Sequence, residues 1–167
     1  MDKKLEKSLI RFITENKENV YRLAYSYVKN AENALDIVQD SIQKAITASE
    51  FLKSESSMKS WFYRIVVNTS LDFLRKQKRI QLVDDMTLEL HCPASEDVYH
   101  DIDLEKALEE LPQAYRTVVV LRYFEDLKIE EIAEVLNENI STVKTRLYQA
   151  LYKLRIKMSN ELLKEVK

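Results

Sequence analysis

Residues 129–155, IEEIAEVLNENISTVKTRLYQALYKLR, decide how this chain folds. Ile129, Ile132, Ala133 and Leu136 fall at i, i+3, i+4 and i+7, one face of a short helix. Asn137, Glu138 and Asn139 then break the pattern. Ser141 is expected to cap the helix that follows, its hydroxyl accepting from an unpaired amide of the first turn. Val143, Leu147, Ala150, Leu151 and Leu154 form the next apolar stripe. Thr142, Lys144, Thr145, Arg146, Tyr148 and Gln149 are left largely on other faces, and every charge in this second helix is positive. A support helix, a tight turn and a basic helix make the helix-turn-helix plan for placing side chains in the DNA major groove. The pattern points to gene control rather than catalysis.

The rest of the composition agrees. The chain has 167 residues, enough for one ordinary domain or two small ones, and its 46% apolar content is enough for real cores. It contains no glycine, and proline only at Pro93 and Pro112. Hairpins usually need glycine-bearing turns, and phosphate-cradling loops need glycine for close backbone approach. An all-helical protein without a P-loop or a dinucleotide fingerprint is therefore expected. The single cysteine, Cys92, excludes an intramolecular disulfide and fits a reducing compartment. The opening MDKKLEKSLIRFI lacks the apolar core of a signal peptide, and the longest apolar cluster, Val118 to Leu121, is far too short to span a membrane. A cytoplasmic protein is expected.

The formal charge of −2 looks wrong for a DNA binder until it is divided by position. Residues 59–79 carry six bases (Lys59, Arg64, Arg75, Lys76, Lys78, Arg79) against Asp72, a local +5. Residues 141–158 carry Lys144, Arg146, Lys153, Arg155 and Lys157 with no acid, another +5. Between them, residues 80–110 carry ten acids against Lys106, a local −9. Two basic blocks separated by an acidic one suggest two nucleic-acid contacts and a middle with another role. Solvated basic faces and a solvated linker are the plainer alternative.

Upstream, Leu9, Phe12 and Ile13 begin one apolar face, and Val20, Leu23, Ala24, Tyr27 and Val28 make a clearer one. Ala34, Leu35, Val38, Ile42, Ala45 and Ile46 form the stripe of a third helix. Residues 54–57 are a polar break. A long helix is expected over 61–74, with Ile65, Thr69 and Leu71 to Leu74 supplying most of its apolar contacts. Residues 80–103 show no stable period and read as a linker. Pattern returns at Leu104, Leu108 and Leu111, and Pro112 is placed to open a helix that runs to Phe124. The expected architecture is two small helical domains, 8–79 and 104–160, joined by an acidic linker at 80–103, with the helix-turn-helix in the second.

Enzyme signals are poor. His91 and His100 both lie in the linker, with no serine-glycine elbow or matched acid nearby. His91, Cys92 and His100 would supply three ligands of a zinc site, with a fourth needed from an aspartate or glutamate, but at a spacing that matches no common finger. Asp84 and Asp85 read better as solvated charge than as an acid/base pair. No catalytic residue, metal, cofactor or small-molecule substrate is expected.

Three stretches resemble one family. LPQAYRTVVVLRYFEDLKIEEIAEVLNENISTVKTRLYQALYKLR, residues 111–155, resembles the carboxy-terminal DNA-binding region of bacterial sigma factors. The matching positions include Leu111-Pro112, Tyr115-Arg116, Leu121 to Phe124, Glu130 to Ala133, Thr142 to Lys144 and Arg146-Leu147. ALDIVQDSIQKA, residues 34–45, is similar to the family's core-polymerase-binding helix, and KSWFYRIVVNTSLDFLRKQKR, residues 59–79, to its promoter-opening segment. With only these regions and a short linker, the chain resembles the extracytoplasmic-function (ECF) sigma factors of the SigV-like group. It departs from the family at three places where glycine is frequent, which here are Asp126, Asn137 and Ser141. Aspartate and asparagine tolerate the left-handed conformation better than most residues.

The resemblance assigns expected roles. Asp36, Gln39 and Asp40 share one helix face, either a plain solvated acidic face or, as the resemblance implies, the contact with a basic coiled coil of core RNA polymerase. In residues 59–79, Trp61 or Phe62 is expected to be core. Arginine and lysine can hold phosphates and asparagine can read a base edge. By resemblance, Lys59, Trp61, Arg64, Asn68, Asp72, Arg75, Lys76, Lys78 and Arg79, with the loop at 48–59, engage the promoter's minus-ten element and an unstacked base. Ser141, Thr142, Lys144, Thr145, Arg146, Tyr148 and Gln149 are expected at the minus-thirty-five element. The linker would either thread basic polymerase channels or simply be solvated. Core RNA polymerase, promoter DNA and a membrane-anchored anti-sigma factor are the implied partners. A conventional regulator, sensing or dimerising through its first half, is the alternative; it would leave the Asp36/Gln39/Asp40 face inert.

Overall fold

The computed structural model describes residues 2–84 and 102–165, and among these there is no strand. The chain divides into two compact units. The first is built on α1 (Lys3–Glu15), α2 (Lys17–Val28), α3 (Ala31–Thr47) and α4 (Met58–Asp84). Short side chains set the helix boundaries. Asp2 caps α1 by accepting from the Lys4 amide at 3.1 Å, and Asn30 caps α3 by accepting from the Asn33 amide at 3.0 Å. Between α1 and α2, the Asn16 side-chain amide donates to the Phe12 carbonyl at 2.8 Å, a second bond to an acceptor that already takes the Asn16 backbone amide at 3.1 Å. Lys29 ends α2 in the left-handed region, at φ 51°, where a glycine would ordinarily sit.

The first core joins Leu9 and Ile13 of α1, Val20, Leu23, Ala24 and Tyr27 of α2, and Ile37 and Val38 of α3 to Phe62, Tyr63, Val66 and Val67 of α4. The stripe expected on α3 is turned by about one residue. Ala34, Val38 and Ala45 are buried as expected, but Ile37 and Ser41 complete the face, while Leu35 and Ile46 are more than half exposed and Ile42 is half-buried. The small residues Ala34, Ser41 and Ala45 let α3 approach its neighbours closely, a form of packing that hydropathy undervalues. On α4, Phe62 rather than Trp61 is core, and Leu71, Phe73 and Leu74 are only half-buried, so the apolar contacts centre one turn or more before the expected 71–74 stretch.

Helix α4 is also longer than expected, starting at Met58 and continuing to Asp84. Residues 80–84 were expected in the linker. Ile80, Gln81 and Leu82 contain no helix breaker, so the backbone continues helically even though Ile80 and Leu82 are exposed and pack on nothing that would betray a period. The rest of the expected linker, with Asp85, His91, Cys92 and His100, lies outside the described residues.

The second unit comprises α5 (Ile102–Glu109), α6 (Gln113–Val119), which runs into a π-helical turn at Val120–Phe124, α7 (Ile129–Leu136) and α8 (Ile140–Glu165). Its core includes Ala107, Leu108, Leu111, Val118, Leu121, Leu127, Ile132, Val143, Leu147, Ala150 and Leu154. Pro112 occupies the cap position just before α6. Arg116 is buried and donates to the carbonyls of Glu109 (2.9 Å) and Leu111 (3.4 Å), so its guanidinium satisfies acceptors where α5 ends. Glu110 and Lys157 form an ion pair; the hydrogen bond from Lys157, then its charge, hold the Glu110 carboxyl below its ordinary value.

The turned face of α3 is directly testable with the chain's one tryptophan, Trp61, whose fluorescence reports on the first unit. Ile37→Ala should lower the stability of that unit by about 2–5 kcal/mol, whereas Leu35→Ala should stay within about 0.5 kcal/mol of wild type. Denaturant titration that ranked the two the other way round would restore the originally expected stripe.

Candidate nucleic-acid interface

On α3, Asp36, Gln39 and Asp40 are all exposed, and Ile37 and Val38 point into the core. The three polar residues therefore share an outward face, as their spacing predicts. Asp40 is not free on that face: Lys44, one turn on, pairs with it at 3.2 Å. Lys44 also donates to the Thr69 hydroxyl of α4 at 3.3 Å. Sequence reading missed this lysine, although its i+4 spacing from Asp40 was a usable signal.

On α4, Trp61, Arg64, Asn68, Asp72, Arg75 and Arg79 succeed one another at three- and four-residue steps along one outward line. Trp61 is half-buried and the other five are exposed. Lys76 and Lys78 are exposed and flank the line, whereas Lys59 is half-buried in the first turn and off it. Asp72 is held by Arg75 at 3.2 Å, which explains how an acid sits within a basic row. Between α3 and α4 runs an open groove of ≈ 380 Å³, with Asp36, Asp40 and Lys44 on one wall and Asp72, Arg75, Lys76 and Arg79 on the other. The loop that precedes α4 buries Leu52 but leaves the Phe51 ring 69% exposed.

The helix-turn-helix forms from α7, a turn at residues 137–139, and α8. The Glu131 carboxylate accepts from the Lys128 amide at 2.8 Å, half of a capping box that starts α7. Asn137 takes the left-handed conformation at φ 53°, and Asp126 does so at φ 54° in the turn before α7. Two of the three positions where the family often has glycine thus keep the conformation that glycine favours. Ser141 does not. It is the second residue of α8 rather than its cap, because the amide of Val143 already closes an intrahelical bond to the Asn139 carbonyl, at 3.1 Å. Its own carbonyl accepts from the Thr145 hydroxyl at 2.9 Å.

The expected recognition residues separate into two flanks. Ser141, Lys144, Thr145 and Tyr148 follow one another on an exposed face, with Tyr148 70% exposed and Tyr152, one turn on, 66% exposed. Thr142, Arg146 and Gln149 lie beside them. Arg146 pairs with Glu138 at 3.1 Å, and Gln149 accepts from the Tyr115 hydroxyl at 2.7 Å. Lys153 covers the face of that same Tyr115 ring at 5.6 Å, within cation–π range. Tyr152 was not singled out by sequence reading, which stopped following the exposed face at Gln149.

Among the described residues no group of histidine, cysteine and acidic side chains is placed to hold a metal, and no helix is long and apolar enough to cross a membrane. Two helical units of this kind, an acid-faced and base-faced bundle followed by a helix-turn-helix, define a sigma-type transcription initiation factor, which has no catalytic chemistry of its own. Residues 12–80 match the model of Sigma-70 region 2, and residues 101–154 that of Sigma-70, region 4. RNA polymerase sigma factor SigV of Bacillus subtilis (strain 168) is 54% identical over 153 residues, 92% of each chain. ECF RNA polymerase sigma factor SigW of the same organism is 30% identical over 83% of this chain and 82% of its own. The chain belongs to the ECF family of RNA polymerase sigma factors. Its fold is shared with the sigma factor RpoE in complex with the anti-sigma factor NepR from Bartonella quintana (TM-score 0.73, 24% identity, 89% of this chain and 97% of that one). It is also shared with CnrH in complex with the cytosolic domain of CnrY (TM-score 0.67, 20% identity, 93% and 90%). The conventional-regulator alternative is not favoured, because the first half is itself a sigma region rather than a sensing or dimerising domain.

The turn chemistry yields a test. Asn137→Gly should preserve or raise the stability of the protein, while Asn137→Val should lower it by about 1–2 kcal/mol, the cost of a left-handed β-branched residue. Equal thermal stability of wild type and both variants would mean that the turn does not need that conformation.

Proposed function

We propose that the three faces divide the work of a promoter-specificity subunit. The Asp36/Gln39/Asp40 face of α3 docks on a basic surface of core RNA polymerase, through charge-assisted contacts that weaken with salt. The line from Trp61 to Arg79 on α4, with Lys59, Lys76 and Lys78 beside it, holds the minus-ten element. There the arginines and lysines grip phosphates, Asn68 meets a base edge, and the exposed Phe51 and the half-buried Trp61 offer stacking platforms for unpaired bases. The first turns of α8 enter the major groove at the minus-thirty-five element, with Ser141, Lys144, Thr145 and Tyr148 foremost and Thr142, Arg146 and Gln149 on the flank. Strand separation needs no chemistry from the protein, only stronger binding to the opened strand than to the duplex.

The observation that carries this reading is the α4 line itself. Polar and aromatic side chains of the types that bind nucleic acid recur at helical steps on the side of α4 turned away from its core residues. A solvated charged face would not need asparagine and tryptophan in the same row.

The test is run-off transcription by core RNA polymerase on a fragmented genomic library, with and without the protein. Discrete new transcripts sharing two upstream elements are expected. They should be lost when Asp36 and Asp40 are both changed to alanine, while Lys144→Ala should weaken initiation at all of these promoters alike, as the loss of a phosphate contact does. A folded protein that stimulates no transcript, yet binds duplex DNA tightly by itself, would refute the assignment.

The protein is further assigned to the cytoplasm, held inactive by a membrane-anchored anti-sigma factor. The structural neighbour RpoE, in complex with the anti-sigma factor NepR, supports an anti-sigma partner, the neighbour CnrH is bound by the cytosolic domain of CnrY, and no described helix supplies a membrane anchor of the chain's own. On fractionation of uninduced cells the protein should sediment with membranes and be released by detergent. Its recovery wholly in the soluble fraction would exclude an anchored partner.

A further inference from the structure

Lys44 stands between the two faces assigned to the first unit. On the α3 wall of the groove it is the basic neighbour of Asp36 and Asp40, and the facing wall carries Arg75, Lys76 and Arg79 together with Asp72, whose carboxylate is already paired with Arg75. Its ammonium lies 3.2 Å from the Asp40 carboxylate and 3.3 Å from the Thr69 hydroxyl. Thr69 is 3% exposed, so its hydroxyl is a fixed point of α4. Lys44 and Asp40, by contrast, are 45% and 54% exposed, so each remains open to an outside partner.

This arrangement has a consequence for the order of binding. In the free chain Asp40 already has a counter-charge on its own helix. A basic surface approaching α3 must compete with Lys44 for that carboxylate. Once Asp40 is taken, the ammonium loses its anion while facing the cations of α4 across one open groove. Like charges gathered in this way favour the entry of a new anion, and an ammonium on a flexible four-carbon stem is a good point ligand for a phosphate oxygen.

We infer that Lys44 is a shared cation that couples the two interfaces. It neutralises Asp40 in the free protein, and it turns to a phosphate of the promoter strand on α4 when core polymerase claims Asp40. The inference rests on the assignment of Asp40 to the polymerase face and goes beyond it by giving that face a link to DNA binding. It implies that the holoenzyme grips the opened strand with one more positive charge than the free chain does.

The test uses the full-length chain with Lys44→Gln, Lys44→Arg and Asp40→Asn. Two quantities are measured: affinity for core RNA polymerase, and the affinity of the resulting holoenzyme for a single-stranded oligonucleotide across a salt series. The oligonucleotide carries the minus-ten strand of a promoter obtained by run-off selection. Lys44→Gln should bind core polymerase about two- to fivefold more tightly, the range expected for releasing an exposed ion pair. Its holoenzyme should bind the oligonucleotide more weakly, with a salt slope smaller by about 0.7, one single-strand phosphate contact. Lys44→Arg should restore both values. Opposite signs on the two measurements are the signature, since a purely structural lysine would lower both together. Parallel losses, or no change in either, would overturn the inference while leaving the polymerase face intact. Undiminished core binding by Asp40→Asn would instead overturn the face assignment and the coupling with it.

Discussion

The seat of α4 in the first core governs what the first unit can present. Phe62 and Tyr63 are fully buried, and Phe12 of α1 meets them edge-on, with ring centroids 6.0 and 6.5 Å away. Burying a large apolar side chain stabilises a fold by about 1.5–3 kcal/mol, and an edge-to-face pair adds about 0.5–1.5 kcal/mol. Because an α-helix is stiff, locking these two rings fixes the rotation of the whole element. Val66, Val67 and Ser70 follow on the buried side, and the line from Trp61 to Arg79 is carried to the side diametrically opposite. The nucleic-acid face is thus positioned by an apolar contact it does not share. Mutating the face leaves the core intact, and mutating the seat would misdirect the entire face.

Electrostatics within each unit follow a common pattern. Asp40 pairs with Lys44, Asp72 with Arg75 and Glu138 with Arg146, each within about one turn of helix or across the turn that precedes one. Pairs this exposed contribute about 0.2–1 kcal/mol, too little to hold a fold together or to forbid a partner. They are enough to restrict long side chains to a few rotamers near the surface where they are wanted. A net charge of −2 and two local basic blocks are compatible for the same reason. Counterion release depends on the charges beside the phosphates, so acids elsewhere in the chain weaken DNA binding little once salt screens them.

What the sequence disclosed depended on whether a signal was periodic. The helix-turn-helix was legible because Ile132, Ala133, Val143, Leu147, Ala150 and Leu154 repeat at helical spacing and are buried as that spacing requires. The outward placing of Asp36, Gln39 and Asp40 was legible for the same reason. Three features were not. The burial of Ser41 was hidden, because a small hydroxyl packs like alanine while scoring as polar. The last turns of α4 were hidden, because exposed helix has no buried side to impose a period on Ile80 and Leu82. Ser141 looked like a cap because serine favours that role, but Asn139 stands in the equivalent place two residues earlier. The contact of Lys44 with Thr69 joins residues far apart in sequence, and no local pattern encodes it.

A protein without glycine must make its tight turns with residues that resist them. Lys29, Asp126 and Asn137 all adopt positive φ, at a cost of roughly 1–2 kcal/mol for an ordinary residue such as lysine and less for aspartate and asparagine. The turn before α7 shows how that cost is met. The Leu127 amide donates to the Leu121 carbonyl at 3.0 Å, Arg122 reaches the Leu127 carbonyl at 3.2 Å, and Glu131 holds the Lys128 amide at 2.8 Å. Leu127 itself is fully buried, so the strained Asp126 is flanked by a fixed point on its C-terminal side. A chain without glycine also has fewer conformations to lose on folding, which offsets part of the strain from the unfolded side. The geometry that other members of the family often obtain from glycine's freedom is obtained here by fastening, and the support helix enters the recognition motif from a turn whose direction is set by side chains.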